Sequence, residues 1–261
     1  MERILFHKIY KGPPGSSEAP LVILHGLFGT LDNWHNIARK LSEQRTVIGV
    51  DQRNHGRSFH DPVMDLPTMA QDLEQILSHL GIEECDIIGH SMGGKVAMHF
   101  ALNHPGFVRK LVVVDIAPKQ YKPGHDRIFE AMFSLDLPNI ESRKEAESKL
   151  SEYIEEQGIR LFILKNIDRD ENGGFRWKID LDSISANYEN ILIEIESPWP
   201  YSDEVLFIRG EQSGYITKDD EAHIPELFAN AECVTIKDAG HWVHADAPEE
   251  FVRIAEEFLN D

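Results

Sequence analysis

The sequence predicts an α/β fold built on a mostly parallel, doubly wound sheet, and two observations support this prediction. Continuous apolar runs at residues 21–24 and 111–114 are typical of strands that are buried on both faces of a parallel sheet. Helical patterns alternate with such runs, and this alternation requires crossover connections that cover both faces of the sheet with helices. The 261 residues are enough for one large domain that carries an insertion.

The elements of the first half follow one another as such a sheet requires. Met69, Leu73, Ile76, Leu77 and Leu80 indicate an amphipathic helix, since their spacing places them on one helical face. In chain order, the patterns predict an edge strand over 4–10, a strand over 21–24, a helix that Asp32 or Asn33 can cap and that runs to Leu41, a strand over 46–50, a helix over 69–80, a strand over 85–88, a helix over 94–102 and a strand over 111–114.

The alternation stops at about Lys119 and resumes at about Asp203. The interrupting segment predicts helices over 126–135, 140–156, 158–166 and 181–195, with a turn at 172–174. Strands over 205–208 and 234–236 then precede a closing amphipathic helix that carries Phe251, Ile254, Phe258 and Leu259. We therefore expect a core domain of residues 1–118 and 203–261. We expect residues 119–202 to form a helical cap over the carboxyl ends of the strands, where ligands bind in such sheets.

Composition limits the partners of this protein. Its formal net charge is −19, from 45 acidic and 26 basic side chains. A surface of this charge repels nucleic acid and anionic membranes, so neither is an expected partner. No apolar stretch approaches the ~18 residues that span a bilayer, and the N-terminal residues lack the apolar core of a signal peptide. We therefore expect a cytoplasmic protein, as a monomer or a homodimer.

Cysteine and histidine usage argues against disulfide and metal chemistry. Cys85 and Cys233 both lie in predicted strands, where we expect them to be buried and unpaired. His241 and His244 are the close histidine pair of interest, and no cluster of cysteine or carboxylate residues accompanies them at ligand spacing. We therefore expect neither a metal ion nor a cofactor.

The pentapeptide Gly89-His90-Ser91-Met92-Gly93 lies between a predicted strand and a predicted helix. Strand, G-x-S-x-G and helix make a nucleophile elbow, in which a serine on a strained turn exposes its hydroxyl above the sheet. Glycine is needed at both outer positions because larger side chains would collide with the neighbouring strand and helix. Ser91 is therefore the candidate nucleophile.

A serine hydroxyl is a poor nucleophile unless a base removes its proton during the attack. In this architecture the acid and then the histidine follow the serine in the chain, so the base should lie after the last strand. His241, in the loop over 238–242, fits this position because small residues around it let the chain turn. His244 is the weaker alternative, and we expect it to lie at the surface or to support His241.

The sequence leaves several candidates for the acid. Residues 210–213 read Gly-Glu-Gln-Ser, so Ser213 stands where a Gly-x-x-Asp turn has its acid, and a serine cannot stabilise an imidazolium as a carboxylate does. Asp115 is the expected substitute because it ends the strand beside the elbow strand. Its alternative role is structural, as the capping residue of the first turn in the inserted 119–202 segment. The outside candidates are Asp182, Asp203, Glu211 and Asp238.

An oxyanion hole needs two donors already aimed at the developing charge. The residue after the nucleophile supplies one, the Met92 N–H. The loop over 25–29, His-Gly-Leu-Phe-Gly, supplies the other, with Leu27 N–H expected and Phe28 N–H as the alternative. Its glycines allow this loop to approach a substrate closely.

The apolar side chains of the expected cap outnumber those that a thin helical layer needs for its own packing. Some should pack on the core domain, and others should roof an apolar pocket for an acyl chain. These residues are Met132, Phe133, Ile159, Leu161, Phe162, Ile163, Leu164, Trp177, Tyr188, Ile191 and Trp199.

These motifs resemble those of the α/β-hydrolase superfamily along nearly the whole chain, and more narrowly those of the small bacterial esterases of the YbfF type. The resemblance is carried by GHSMGGK at 89–95, HGLFG at 25–29, DQRNHG at 51–56, DIAP at 115–118 and GHWVH at 240–244, and is weakest over 119–202. It implies the α/β-hydrolase fold and the hydrolysis of carboxylic esters, with thioesters such as acyl-CoA as further substrates. That family also places its acid after the earlier strand, which supports Asp115 here.

The favoured hypothesis is a serine carboxylesterase that uses Ser91, His241 and Asp115 as its triad and passes through an acyl-enzyme intermediate. A second hypothesis keeps the triad for acyl-CoA thioester cleavage, perhydrolysis or carbon–carbon bond hydrolysis. The acidic surface disfavours coenzyme A, a polyanion, unless Arg53, Arg57 or Lys119 forms a local basic patch. A third hypothesis is a small-molecule receptor with residual hydrolase activity.

Overall fold

The computed structural model describes residues 3–171 and 173–261, and in this part of the chain seven strands form one sheet in the order β1-β3-β2-β4-β5-β8-β9. β1 runs antiparallel to β3, and the other neighbouring pairs are parallel. The strands are β1 (His7–Tyr10), β2 (Leu21–Leu24), β3 (Val47–Val50), β4 (Cys85–His90), β5 (Val108–Val114), β6 (Ile167–Arg169), β7 (Phe175–Trp177), β8 (Tyr201–Gly210) and β9 (Phe228–Ile236).

Helices cover both faces of the sheet, as the apolar strand runs predict. Ile87 of β4 packs in the cluster that contains the side chains of α2 and α3, whereas its neighbour Ile88 packs in the opposite cluster with α1 and α10. The α-helices are α1 (His35–Leu41), α2 (Leu66–Leu80), α3 (Met92–Asn103), α4 (Asp126–Phe133), α5 (Arg143–Leu150), α6 (Gln157–Leu164), α7 (Leu181–Ala186), α8 (Lys218–Leu227), α9 (Val243–Asp246) and α10 (Pro248–Asn260).

Local sequence accounts for the ends of these elements. The Asp65 side chain caps α2 by accepting the Thr68 N–H at 2.8 Å, and Gly81 ends the helix with a φ of 69°, a conformation that glycine adopts without strain. The first helix begins earlier than expected, as a 3₁₀ turn over Leu31–Trp34 with Thr30 as its cap. Asn33 takes part from inside the turn, where its side chain accepts the Thr30 N–H at 2.7 Å.

The segment between β5 and β8 contains more than the predicted helices. α5 and α7 are shorter than expected, and a 3₁₀ turn over Tyr188–Ile191 follows α7. β6 and β7 pair as an antiparallel hairpin that the sequence did not indicate, because runs of three residues are too short to show a periodicity. The expected turn at 172–174 falls in this hairpin, but Asn172 lies outside the described residues.

Three further expectations can be compared with the structure. Cys85 is buried as expected, whereas Cys233 is exposed, because its side chain lies on the edge strand β9. β8 begins at Tyr201, so the expected boundary between residues 202 and 203 falls inside this strand. None of the helices in the described part of the chain combines the length and the apolar character that crossing a membrane requires.

Candidate active site

Ser91 lies on a sharp turn between β4 and α3. Its backbone has φ 51° and ψ −118°, a combination that is strained for a residue with a side chain. The Ser91 N–H donates to Val114 O at 3.0 Å, which ties the turn to β5, and the Ser91 carbonyl accepts the Lys95 N–H at 3.0 Å. These bonds hold the strained turn in place, as the sequence predicts for a nucleophile elbow.

The glycines on either side of Ser91 are required by close backbone contacts. A Cβ atom on Gly89 would lie 2.4 Å from the Gly93 carbonyl oxygen, and one on Gly93 would lie 2.5 Å from the Leu24 carbonyl oxygen. Both obstacles are backbone atoms, which cannot move aside as a flexible side chain can. The α3 N-terminus therefore packs against β2 and β4 only because these two positions carry no side chain.

His241 and Asp115 meet above the same edge of the sheet. The His241 Nδ1 lies 2.7 Å from Asp115 Oδ2, although 126 residues separate them in the chain. Asp115 directly follows β5, is fully buried and has a φ of 51°, while the His241 side chain is 21% exposed. The His241 ring stacks on Tyr215 with ring centroids 3.9 Å apart. The imidazole is thus held on two sides by a carboxylate and an aromatic ring.

The turn after β8 supports the Asp115 carboxylate. The Gly210 N–H donates to Asp115 Oδ1 at 3.0 Å, and the Ser213 hydroxyl donates to Oδ2, the oxygen that also contacts His241. The serine at the usual position of the acid is therefore a hydrogen-bond donor to a carboxylate from the neighbouring strand. This role of Ser213 was not predicted, and the absence of an acid in the turn was its only signal.

The loop over 25–29 lines the cavity, and its Phe28 and Gly29 amides are engaged in hydrogen bonds. The Phe28 N–H donates to His55 Nε2 at 3.2 Å, and the Gly29 N–H donates to the Gly26 carbonyl at 2.9 Å. Within the described residues, the Leu27 N–H has no hydrogen-bond partner, and Leu27 lines the cavity together with Met92. The Phe28 amide, the alternative donor, is thus already engaged by His55.

Two buried histidines fix this loop, and both must be neutral to do so. The Gln52 N–H donates to His25 Nε2 at 3.0 Å, while His25 Nδ1 donates to the Gly26 carbonyl at 2.8 Å. His55 repeats the pattern, with Nδ1 donating to the Arg53 carbonyl at 2.8 Å. Burial lowers the pKa of His25 to about 4 and that of His55 to about 3, because a charged ring would lose its hydration.

His90 and His244 are buried histidines close to Ser91 and His241. His90 Nε2 donates to the His241 carbonyl at 2.9 Å, which steadies the loop that carries His241. The His244 ring stacks on Trp34 with centroids 3.9 Å apart and is 5% exposed, so it is a buried residue and not a surface one. Burial lowers the pKa of His244 to about 3 and that of His90 well below its usual value.

Ser91 and His241 line one cavity of about 490 Å³ between the sheet edge and the 119–202 segment. Five of the expected roof residues line it, namely Ile159, Phe162, Ile163, Tyr188 and Ile191. Met132 and Leu164 are instead buried in packing, Trp177 is partly buried against the core, and Phe133, Leu161 and Trp199 are exposed. The lining is mostly apolar around the polar Ser91 and His241, as is typical of sites that bind small molecules.

None of the remaining candidates forms a hydrogen bond with His241 or Asp115 in the described part of the chain. The outside candidates for the acid, Asp182, Asp203, Glu211 and Asp238, are all exposed. The basic residues that could attract a polyanion are paired with carboxylates. Arg53 is buried and forms a bidentate salt bridge with Asp72. Arg57 lies 3.4 Å from Asp32, and Lys119 lies 2.5 Å from Asp220. The expectation that neither a metal ion nor a cofactor is needed stays a prediction.

Comparison with known proteins agrees with this geometry. The family model described as alpha/beta hydrolase fold matches residues 19–248. The chain is 41% identical over 263 residues to the sn-1-specific diacylglycerol lipase ABHD11 of Danio rerio, covering 98% of this chain and 82% of that protein. It is 36% identical over 246 residues to esterase YbfF of Escherichia coli strain K12, covering 94% of each.

A solved structure described as a marine microorganism esterase superposes with a TM-score of 0.94 at 45% sequence identity, covering 98% of this chain and 100% of that one. Sequence and structure therefore agree along almost the whole chain, including the 119–202 segment where the motifs were weakest. The chain belongs to the α/β-hydrolase family and is a hydrolase of its esterase and lipase type.

Proposed function

We propose that this protein is a serine carboxylesterase in which Ser91, His241 and Asp115 form the catalytic triad. One observation carries the proposal: a serine on a strained turn lines the same cavity as a histidine whose Nδ1 lies 2.7 Å from a buried aspartate. Strain that is held by surrounding hydrogen bonds is typical of active sites. In this proposal residues 119–202 are the cap of the active site.

Acylation begins when the Ser91 Oγ attacks the carbonyl carbon of the ester. His241 Nε2 takes the hydroxyl proton, and Asp115 orients the ring through Nδ1 and stabilises the imidazolium. The oxyanion forms next to the Met92 N–H and the Leu27 N–H, which has no other partner among the described residues. The tetrahedral intermediate collapses, the alcohol leaves with the proton from His241, and the acyl group stays on Ser91.

Deacylation runs through the same groups in reverse. A water molecule loses its proton to His241 as it attacks the acyl carbonyl, and the second tetrahedral intermediate is stabilised by the same amides. When it collapses, His241 returns the proton to Ser91 Oγ and the carboxylic acid leaves. The enzyme is restored without a cofactor, and one ester bond has been cleaved with the consumption of one water molecule.

The cavity favours uncharged esters with an apolar acyl group. Its roof is formed by aliphatic and aromatic side chains, and relatives at 36–41% identity are named as an esterase and a diacylglycerol lipase. Arg53, Arg57 and Lys119 are engaged with carboxylates, so these residues do not supply the basic patch that coenzyme A would need. Acyl-CoA cleavage is therefore a weaker hypothesis than the hydrolysis of uncharged esters.

The test is hydrolysis of p-nitrophenyl esters of increasing acyl length by the wild type and by Ser91→Ala. We expect turnover by the wild type and a loss of about 10⁴-fold or more in kcat for the variant, since alanine has no hydroxyl group to form the acyl-enzyme. Ser151→Ala, an exposed serine far along the chain in the cap segment, serves as the matched control and should keep wild-type rates. Comparable rates for Ser91→Ala and the wild type would exclude Ser91 as the nucleophile.

A further inference from the structure

Lys95 is a buried lysine one helical turn beyond the nucleophile. Its backbone N–H donates to the Ser91 carbonyl at 3.0 Å, and the residue is 1% exposed. Lysine is almost never fully buried without a specific partner, because an ammonium group loses its hydration there. The proposed mechanism gives this side chain no part, so its position needs another explanation.

The ammonium group of Lys95 is surrounded by backbone carbonyls. Its Nζ donates to the Lys119 carbonyl at 2.6 Å and to the Ile193 carbonyl, and it lies 3.5 Å from the Leu192 carbonyl. Within the described residues it forms no salt bridge, although the charge of Glu194 acts on it from farther away, and the Tyr121 ring lies 5.2 Å from it. The three N–H donors of an ammonium suit this set of oxygens.

These carbonyls belong to the two stretches of chain that join the cap segment to the core, which we call the cap passages. The first passage leaves the core and contains Lys119. The second returns to the core and contains Leu192 and Ile193. The passages are also joined to each other, since the Tyr121 N–H donates to the Leu192 carbonyl at 2.8 Å and the Ile195 N–H donates to the Pro118 carbonyl at 2.7 Å. The Lys95 side chain therefore connects both ends of the cap segment to the helix that begins at the nucleophile.

We propose that Lys95 is a positioning residue that fixes the roof of the cavity relative to Ser91 by holding both cap passages against α3. This proposal rests on the proposed function, because the roof matters only if Ser91 reacts beneath it. A charged group in this place is costly, since burial lowers the pKa of the Lys95 ammonium to about 7, and an apolar side chain of similar length would pack without that cost. The carbonyl contacts explain why an ammonium is present nonetheless.

The first test compares Lys95→Met with Lys110→Met. Lys110 is also a buried lysine whose Nζ donates to a backbone carbonyl, that of Phe258 at 2.7 Å, but this carbonyl belongs to α10 and not to the cap segment, and Nζ also lies 3.3 Å from Glu204. In Lys95→Met we expect amide exchange at Tyr121 and Ile195 to be about tenfold faster or more, because these amides join the freed passages. In Lys110→Met the exchange at both amides should equal that of the wild type. Equal exchange in Lys95→Met and the wild type would overturn the proposal.

The second test measures kcat and KM for p-nitrophenyl acetate and p-nitrophenyl octanoate. We expect Lys95→Met to raise KM for the octanoate by about tenfold while changing that for the acetate much less, because only the longer chain reaches the roof. If amide exchange became faster but the ratio of the KM values for octanoate and acetate did not change, Lys95 would only stabilise the structure. That result would overturn the positioning role. Lys95→Gln, which keeps two N–H donors without the charge, should show smaller effects in both tests and takes the place of Lys95→Met if that variant does not fold.

The two proposals can fail separately. If the wild type hydrolyses no ester, the proposed esterase function fails, and the exchange measurement alone then decides whether Lys95 holds the cap passages. If the wild type is active and Lys95→Met behaves like Lys110→Met in both tests, the esterase function stands and the Lys95 proposal is wrong.

Discussion

Asp115 receives hydrogen bonds from three directions, and these define the orientation of the His241 ring. The Gly210 N–H approaches Oδ1, while the Ser213 hydroxyl and His241 Nδ1 approach Oδ2. A carboxylate with this many partners cannot rotate freely, so the imidazole that it contacts is also fixed. At the scale of single residues, Asp115 Oδ2 is the atom that Ser213 and His241 share.

Asp115→Asn should therefore lower kcat by about 10⁴-fold, because an amide cannot stabilise the imidazolium and favours the wrong tautomer of the histidine. The asparagine side chain has the same size, so the thermal unfolding midpoint should show that the variant is folded. The measurement is kcat on a p-nitrophenyl ester at saturating substrate.

Asp203→Asn is the control for this substitution, because Asp203 is exposed on β8 and was an outside candidate for the acid. Its kcat should match that of the wild type. A fully active Asp115→Asn would move the search for the acid to Asp182 and Asp203.

At the scale of elements, the loop over 25–29 is held by neutral histidines, and this makes its stability depend on pH. Burial lowers the pKa of His25 to about 4 and that of His55 to about 3, from 6.5 for a free side chain. At pH values between the lowered pKa values of the folded protein and the free-histidine pKa of 6.5, the unfolded chain binds more protons than the folded one. The free energy of unfolding is therefore highest above the free-histidine pKa and falls as the pH is lowered towards the folded values.

We expect the free energy of unfolding, measured by urea titration, to decrease by on the order of several kcal/mol between roughly pH 7 and roughly pH 4. His55→Gln removes one of the titrating groups, so its stability should depend less steeply on pH than that of the wild type, whatever its stability at neutral pH. His79→Gln, at an exposed position of α2, should keep the wild-type slope. Parallel curves for His55→Gln and the wild type would contradict this account of the loop.

The sequence predicted the elements of the core and missed details of the cap segment for a physical reason. Strands such as β2 and β5 are buried on both faces, so their apolar runs are continuous and easy to identify. The β6–β7 hairpin has only three residues in each strand and gives no such pattern. Ser213 and His55 were also missed as parts of the site, because hydrogen bonds to a carboxylate or a loop amide from distant positions leave no periodic signal.

At the scale of the whole molecule, the formal charge of −19 acts on stability through self-repulsion. Many acidic side chains are exposed, and the Debye length shortens from about 30 Å at 0.01 M salt to about 8 Å at 0.15 M. We therefore expect the thermal unfolding midpoint to rise over this range of sodium chloride concentration. A midpoint that falls with added salt would mean that surface ion pairs such as Arg253 with Glu250 and Glu257 outweigh the repulsion.

The contact between Asp115 and Ser213 also bears on how such a site can change over evolutionary time. The two side chains face each other across a single hydrogen bond, so a carboxylate could in principle occupy either position and still reach the same imidazole. Moving it requires two substitutions. One order passes through a pair of carboxylates in contact, which repel each other, and the other passes through a site with no acid at all. With Asp115 as the acid of the proposed triad, each arrangement is separated from the other by an intermediate of low activity, which disfavours a change from one to the other.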